Sequence, residues 1–149
     1  MSIYEKLNII YKNDKPNDCD NFKIGIIGAG NIVENSHLPT YLKENIKVTN
    51  IFDISKEKAK NLKNRYKIDK FSKTIDEFFY DNNFDIVDIA VPSEHNEELV
   101  KKTLRNNKNI LIQKPLSNNI YSAKRIIKEY KNYNLKINVN HQMRYSPAL

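Results

Sequence analysis

The residues best suited to chemistry in this sequence are small or charged, and they fall where apolar runs end. All three glycines of the chain, Gly25, Gly28 and Gly30, lie in the stretch FKIGIIGAGNIVENSHLP, from Phe22 to Pro39. There an apolar run stops at Gly28-Ala29-Gly30 and resumes as a helical pattern. A strand that stops, turns sharply and starts a helix leaves backbone N–H groups pointing at one spot, and the helix dipole adds partial positive charge. Such a turn suits an anionic group. Gly28 can take the tight turn, Gly30 lets a pyrophosphate approach the backbone with no Cβ in the way, and Asn31 and Ile32 open the helix beside it. Val33 holds the third position of the G-x-G-x-x-G pattern, where its bulk is expected to push the helix outward.

A lone G-x-G is only a turn, but this one follows the first strand of a βαβ pattern, where a dinucleotide fingerprint belongs. The second strand pattern ends at Asp53, 23 residues after Gly30. An acidic side chain there can accept both ribose hydroxyls of an adenosine, or can simply be a turn residue leading the next helix. A carboxylate repels a 2′-phosphate, so NAD is favoured over NADP, with Lys56 and Lys58 keeping NADP as the lesser option. Three further strand ends carry polar groups: Pro92, Ser93 and His95 in VDIAVPSEHNEELV, Gln113 and Lys114 in ILIQKPLS, and Asn140, His141 and Arg144 in VNHQMRYSP. In open α/β sheets ligands bind at the carboxyl ends of the strands.

The elements that must position these residues alternate. After a helical face at Ile3, Leu7, Ile10 and Tyr11 and a polar linker broken by Pro16, giving an arm over 1–21, the pattern reads strand, helix, strand, helix to the end. FKIGIIG, IKVTNIFD, FDIVDIAVP, NILIQKP and LKINVN read as strands. NIVENSHLPTYLKE reads as a helix that Pro39 should interrupt or restart. Ser55 is expected to cap SKEKAKNLKNRY, Thr74 and Glu77 to form a capping box at TIDEFFYD, and Ser93 to cap SEHNEELVKKTLRNN. NNIYSAKRIIKEYKNY reads as the last helix, and Asn107 and Asn109 flank Lys108 where a helix ends, a place that favours a left-handed residue. This order implies an α/β fold with a doubly wound, mostly parallel sheet of Rossmann type over 22–141.

Composition narrows the classes. The chain has 149 residues, 40% hydrophobic and 29% charged, which suits one globular domain. Cys19 is the only cysteine, so neither a disulfide framework nor a cysteine metal cluster can form, and no metal site is expected. No apolar run reaches the roughly 20 residues that span a bilayer, and Glu5 with its polar neighbours argues against a secretory leader. A cytoplasmic protein with no membrane partner is expected. The net charge of +7 invites a nucleic-acid reading. Its lysines are scattered, however, and arginine occurs only at Arg65, Arg105, Arg125 and Arg144, so no nucleic-acid partner is expected.

Taken in order, the glycine turn, the acidic strand end, Pro-x-x-His and Lys-Pro resemble the nucleotide-binding half of the Gfo/Idh/MocA oxidoreductases, from about Phe22 to the C-terminus. That resemblance implies that Lys114 is the catalytic lysine beside the nicotinamide ring and the substrate hydroxyl. It also implies that His95 lies close to the cofactor and that Gln113 replaces the glutamate of a Glu-Lys-Pro signature. An amide keeps an acceptor oxygen for the nicotinamide ribose and loses the charge. His37 and Pro39 match a His-x-Pro whose role is structural.

The implied function is the NAD(P)-binding domain of an oxidoreductase that moves a hydride to or from a sugar, polyol or sugar derivative. Family enzymes carry a second, substrate-binding domain, and here the chain reaches Leu149 where that domain would begin, leaving 142–149 as its start. The expectation is therefore a chain not fully active alone, forming a homo-oligomer or joining a partner chain that carries the second domain. The alternative is a non-catalytic dinucleotide-binding sensor or partner subunit. A methyltransferase using S-adenosylmethionine would share the glycine turn and acidic strand end, but Gln-Lys-Pro and the Pro-x-x-His loop argue against it.

Overall fold

A computed structural model describes residues 22–81 and 83–145, so the expected arm over 1–21, Cys19 and residues 146–149 lie outside the described residues. Six strands form one sheet: β1 (Lys23–Ile27), β2 (Lys47–Phe52), β3 (Lys70–Ser72), β4 (Ile86–Ile89), β5 (Asn109–Gln113) and β6 (Ile137–Asn140). Their order is β3-β2-β1-β4-β5-β6, with every neighbouring pair parallel. The helices are α1 (Leu38–Lys43), α2 (Lys56–Arg65), α3 (Ile75–Tyr80), α4 (Asn96–Arg105) and α5 (Ile120–Tyr130). The sheet is doubly wound, as the alternating pattern implies.

Strand alternation divides the core in two. Ile24 and Ile26 of β1 face Leu38 and Tyr41 of α1 and Ala59 and Leu62 of α2. Ile27, with Val87 and Ile89 of β4, faces Phe78, Val100, Leu104 and Ile126 of α3, α4 and α5. Gly25 points to this second layer, and a Cβ there would lie 2.7 Å from Phe78 and 2.8 Å from Phe84. Those two rings stack with centroids 4.7 Å apart, so the missing side chain makes room for an aromatic pair under the sheet.

Local signals act largely as expected. Ser55 accepts the N–H of Lys58, and Thr74 accepts that of Glu77. The Glu77 carboxylate reaches back to the N–H of Lys73, one residue before the cap. Asn107 takes φ 57°. The helical run restarts at Pro39, as expected: the π-helical turn ends at His37 and α1 begins at Leu38 with Pro39 in its first turn, a position that tolerates a missing N–H. Buried Val33 begins a wider π-helical turn, Val33–His37, closed by the Leu38 N–H on the Val33 carbonyl.

Two readings need correction. Ser93 is not a side-chain cap, because the chain enters α4 through a 3-10 turn at Ser93–His95 whose His95 N–H bonds the Pro92 carbonyl at 3.1 Å. The other is an omission, β3, in a stretch to which the sequence pattern assigned no element: three residues on an edge strand are too few to display alternation. Among the described residues no helix is long and apolar enough to cross a membrane.

Helices α4 and α5 are tied by Glu97. It accepts two bonds from Arg125 at 2.8 and 2.7 Å, one from Lys101 and one from Ser122. These partners, Arg125 first, hold the Glu97 carboxyl well below the usual carboxylate range. A group whose folded value is depressed stabilises the fold above its unfolded value of about 4 and loses that contribution as pH falls through the folded one. Glu97→Gln should therefore lower the denaturation midpoint at pH 7, with the gap to the parent chain shrinking as pH drops below about 4. For Gly25→Ala, chemical denaturation at pH 7 should show a loss of about 1–3 kcal/mol from overpacking against Phe78 and Phe84.

Candidate functional site

The sheet reverses its winding between β1 and β4, and the turn after β1 meets the end of β4 there. Gly28 has φ 112°, and a Cβ on it would lie 2.3 Å from the Ala90 carbonyl oxygen. Its N–H bonds the Phe52 carbonyl at 2.8 Å, while the Ala90 N–H bonds the Ile27 carbonyl at 2.9 Å. Backbone bonds thus tie the turn to both β2 and β4. Gly30 is different. A Cβ there would meet nothing within 4 Å, and the helix that opens beside it leaves its first N–H groups without intrahelical partners.

Asp53 reaches this turn from the end of β2. One carboxylate oxygen accepts the Ala29 N–H at 2.6 Å, and the other accepts the Ser55 N–H at 2.7 Å. Asp53 therefore leads α2, as a turn residue would, and also holds the glycine turn. Each oxygen retains a further lone pair, so a ligand hydroxyl can still be accepted.

A cleft of about 550 Å³ opens over these residues. Gly28, Gly30, Asp53, Pro92 and His95 line it together, with apolar walls from Ile54, Ile75, Val91 and Leu99. Lys58 also borders it, as do Glu98 and Lys102, which the sequence analysis did not select. Lys102 is paired with Asp76. Ser93, Gln113 and Lys114 are not among the lining residues, nor are the exposed Asn31 and Ile32. Open space at Gly30, helix N–H groups, a carboxylate with spare acceptor capacity and flat apolar walls together fit a dinucleotide with an adenosine end.

Lys114 lies exposed just past the end of β5, and its peptide bond to Pro115 is cis. Asn96, at the start of α4, is buried and donates to the carbonyls of Pro115 and Leu116 at 3.2 and 3.1 Å, fastening this segment to the helix. His141 is exposed beyond β6, its N–H on the Val139 carbonyl.

Beneath the site runs a polar chain that sequence reasoning saw only in part. Asp88 of β4 is fully buried, and one carboxylate oxygen accepts the Tyr41 hydroxyl at 2.8 Å and faces His37 Nδ1 at 2.7 Å. His37 Nε2 in turn lies 3.3 Å from the Gln113 side-chain nitrogen. Burial, then the Asp88 charge and its hydrogen bond, push the Tyr41 hydroxyl far above its usual range and keep it a donor. The available signal was the acid inside FDIVDIAVP: a charged residue in a strand buried on both faces requires buried partners, and His37 and Tyr41 stand four apart on one helical face.

The fold and site define a Rossmann-type dinucleotide-binding domain. The model of the Gfo/Idh/MocA oxidoreductase family, NAD-binding Rossmann fold, matches residues 22–141, and the chain belongs to that family. It is 28% identical over 130 residues to the uncharacterized protein YMR315W of Saccharomyces cerevisiae, covering 85% of this chain and 37% of that protein. The chain thus spans little more than a third of that relative. Two solved structures share the fold. The KijD10 3-ketoreductase of Actinomadura kijaniata, in complex with NADP and TDP-benzene, aligns with TM-score 0.78 and 23% identity over 85% of this chain and 39% of that one. The WlbA dehydrogenase of Chromobacterium violaceum, with NADH and UDP-GlcNAcA, aligns with TM-score 0.79 and 17% identity over 87% and 37%.

The two turn glycines should separate on substitution. Gly28→Ala forces a Cβ into the Ala90 carbonyl at positive φ, and urea denaturation should show a loss of about 3 kcal/mol or more. Gly30→Ala should leave the denaturation midpoint within about 0.5 kcal/mol of the parent, because its Cβ projects into open space.

Proposed function

We propose that this chain is the NAD(P)-binding part of an oxidoreductase that acts by hydride transfer on a sugar, polyol or sugar derivative, with NAD as the preferred cofactor. The observation that carries the reading is the empty space at Gly30 beside the start of a helix, with Asp53 at the neighbouring strand end. A bound nicotinamide would accept or donate the hydride at its C4 atom. Gly28, Gly30, Asn31 and Ile32 present the helix start to the pyrophosphate. Asp53 accepts the adenosine ribose hydroxyls and repels a 2′-phosphate, with Lys58 as the nearby counter-charge.

Pro92, Ser93 and His95 border the nicotinamide half on the β4 side. Gln113 offers its carbonyl oxygen to the ribose, and Lys114 takes or returns the proton of the substrate hydroxyl. Relatives extend well beyond the length of this chain, and the remaining substrate contacts are assigned to a further domain of this polypeptide, a second copy or a partner chain. A second reading, a dinucleotide-binding sensor or partner subunit without chemistry of its own, draws on Gln113 in place of a glutamate.

Fluorescence titration with NADH and NADPH tests the assignment. NADH should bind about tenfold or more tightly than NADPH, a difference of at least ~1.4 kcal/mol from the Asp53 charge. Gly30→Asp should abolish binding of both, and Lys114→Ala should leave NADH affinity within about twofold. Absence of binding to either cofactor by the parent chain would overturn the proposal.

A further inference from the structure

Donor and acceptor accounting along the buried chain fixes more than any one contact does. The Lys114 backbone N–H lies 2.8 Å from Gln113 Oε1, and a backbone N–H can only donate. That sets the Gln113 amide: Oε1 toward Lys114, the NH₂ toward His37. With an NH₂ facing it at 3.3 Å, His37 Nε2 must be the acceptor and carries no proton. The ring proton therefore sits on Nδ1, donated to the Asp88 oxygen 2.7 Å away. Asp88 accepts it beside the Tyr41 hydroxyl, which remains a donor. Every link donates in one direction, from the Lys114 backbone N–H to Gln113, from the Gln113 amide to His37 and from His37 to Asp88.

We infer that His37 and Asp88 are positioning residues, which hold the Gln113 amide in one orientation through a single imidazole tautomer. Gln113 and this tautomer are a matched pair. A glutamate at 113 would set an acceptor oxygen against the unprotonated Nε2, and the clash would be relieved only by a second ring proton. Position 113 thus sets the charge of a buried imidazole whose facing groups are Asp88 from β4, Tyr41 from α1 and residue 113 from β5. The consequence for the site rests on the function proposed above: Gln113 Oε1 is held at the end of β5, where the nicotinamide ribose is assigned.

Three histidines make the ring nitrogens tractable by ¹⁵N NMR on the histidine-labelled chain. In the parent, His37 should give one protonated-type signal at Nδ1 and one unprotonated-type signal at Nε2 at pH 7. In Gln113→Glu both should become protonated-type. A proton on Nε2 in the parent chain would overturn the inference, and that measurement needs no variant to fold. An unchanged neutral ring in a folded Gln113→Glu protein would also overturn it.

The same samples separate positioning from cofactor binding. His37→Phe should weaken NADH about two- to tenfold, the worth of one hydrogen bond, and His37→Gln, which keeps an acceptor for Gln113, should restore most of it. Equal losses in both variants would refute positioning through that acceptor. No NADH binding by the parent would refute the proposed function and leave the tautomer result standing.

Discussion

The constraint on which the site depends is the approach of Gly28 to the carbonyl of Ala90, the tightest of the three glycine positions. No side chain can stand at residue 28, since both the backbone conformation and the neighbouring strand exclude it. Because the turn lies so close, β1 and β4 remain neighbours to their carboxyl ends, and the helix beginning at Asn31 starts directly above the sheet. The crevice follows from this geometry. Its rim is the end of β2 on one side and the Pro92–His95 turn on the other, with Gly28 and Gly30 between them and no side chain at residue 30.

The three glycines therefore answer to three separate physical demands. Gly25 yields volume to Phe78 and Phe84 inside the core, Gly28 supplies a backbone conformation, and Gly30 leaves room outside the protein's own packing. Only the last has no internal reason to be glycine. A residue whose smallness benefits nothing in the fold is evidence for something that approaches from outside. In a sequence that places asparagine or lysine at the positive-φ positions 45, 67 and 107, a glycine at residue 30, which needs no positive φ, is a stronger signal than its motif alone.

The sheet and most helices were legible because their causes are local. Strand cores of isoleucine and valine, caps at Ser55 and Thr74 and the Asn107 terminus all act within a few residues. β3 was not legible because its pairing with β2 is non-local and only three residues long. The site divides the same way. Gly28, Gly30 and Asp53 could be read from spacing, as could Pro92 and His95 from their strand end. Asn96 and Glu98 could not, and the Asp88–His37 chain only in part, since their roles depend on which elements pack together. Asp88 turns toward α1 only because β4 alternates, with Val87 and Ile89 taking the other face. Its Oδ2 meets both the Tyr41 hydroxyl and the His37 ring, which the π-turn brings to it, while its Oδ1 has no hydrogen-bond partner among the described residues.

Asp53 shows why site and fold cannot be tuned independently here. Its two oxygens hold the Ala29 and Ser55 N–H groups, one in the glycine turn and one at the start of α2. A neutral residue that admitted a 2′-phosphate would remove the charge opposing it and would also weaken or remove both of those bonds. Asparagine could keep one acceptor but would turn its NH₂ toward the other N–H. Serine would be too short to span both. Within the reading proposed above, discrimination between the two cofactors rests on a carboxylate that also sets the shape of their shared binding turn. Relaxing that discrimination would loosen the phosphate cradle as well, unless new acceptors took up the Ala29 and Ser55 N–H groups.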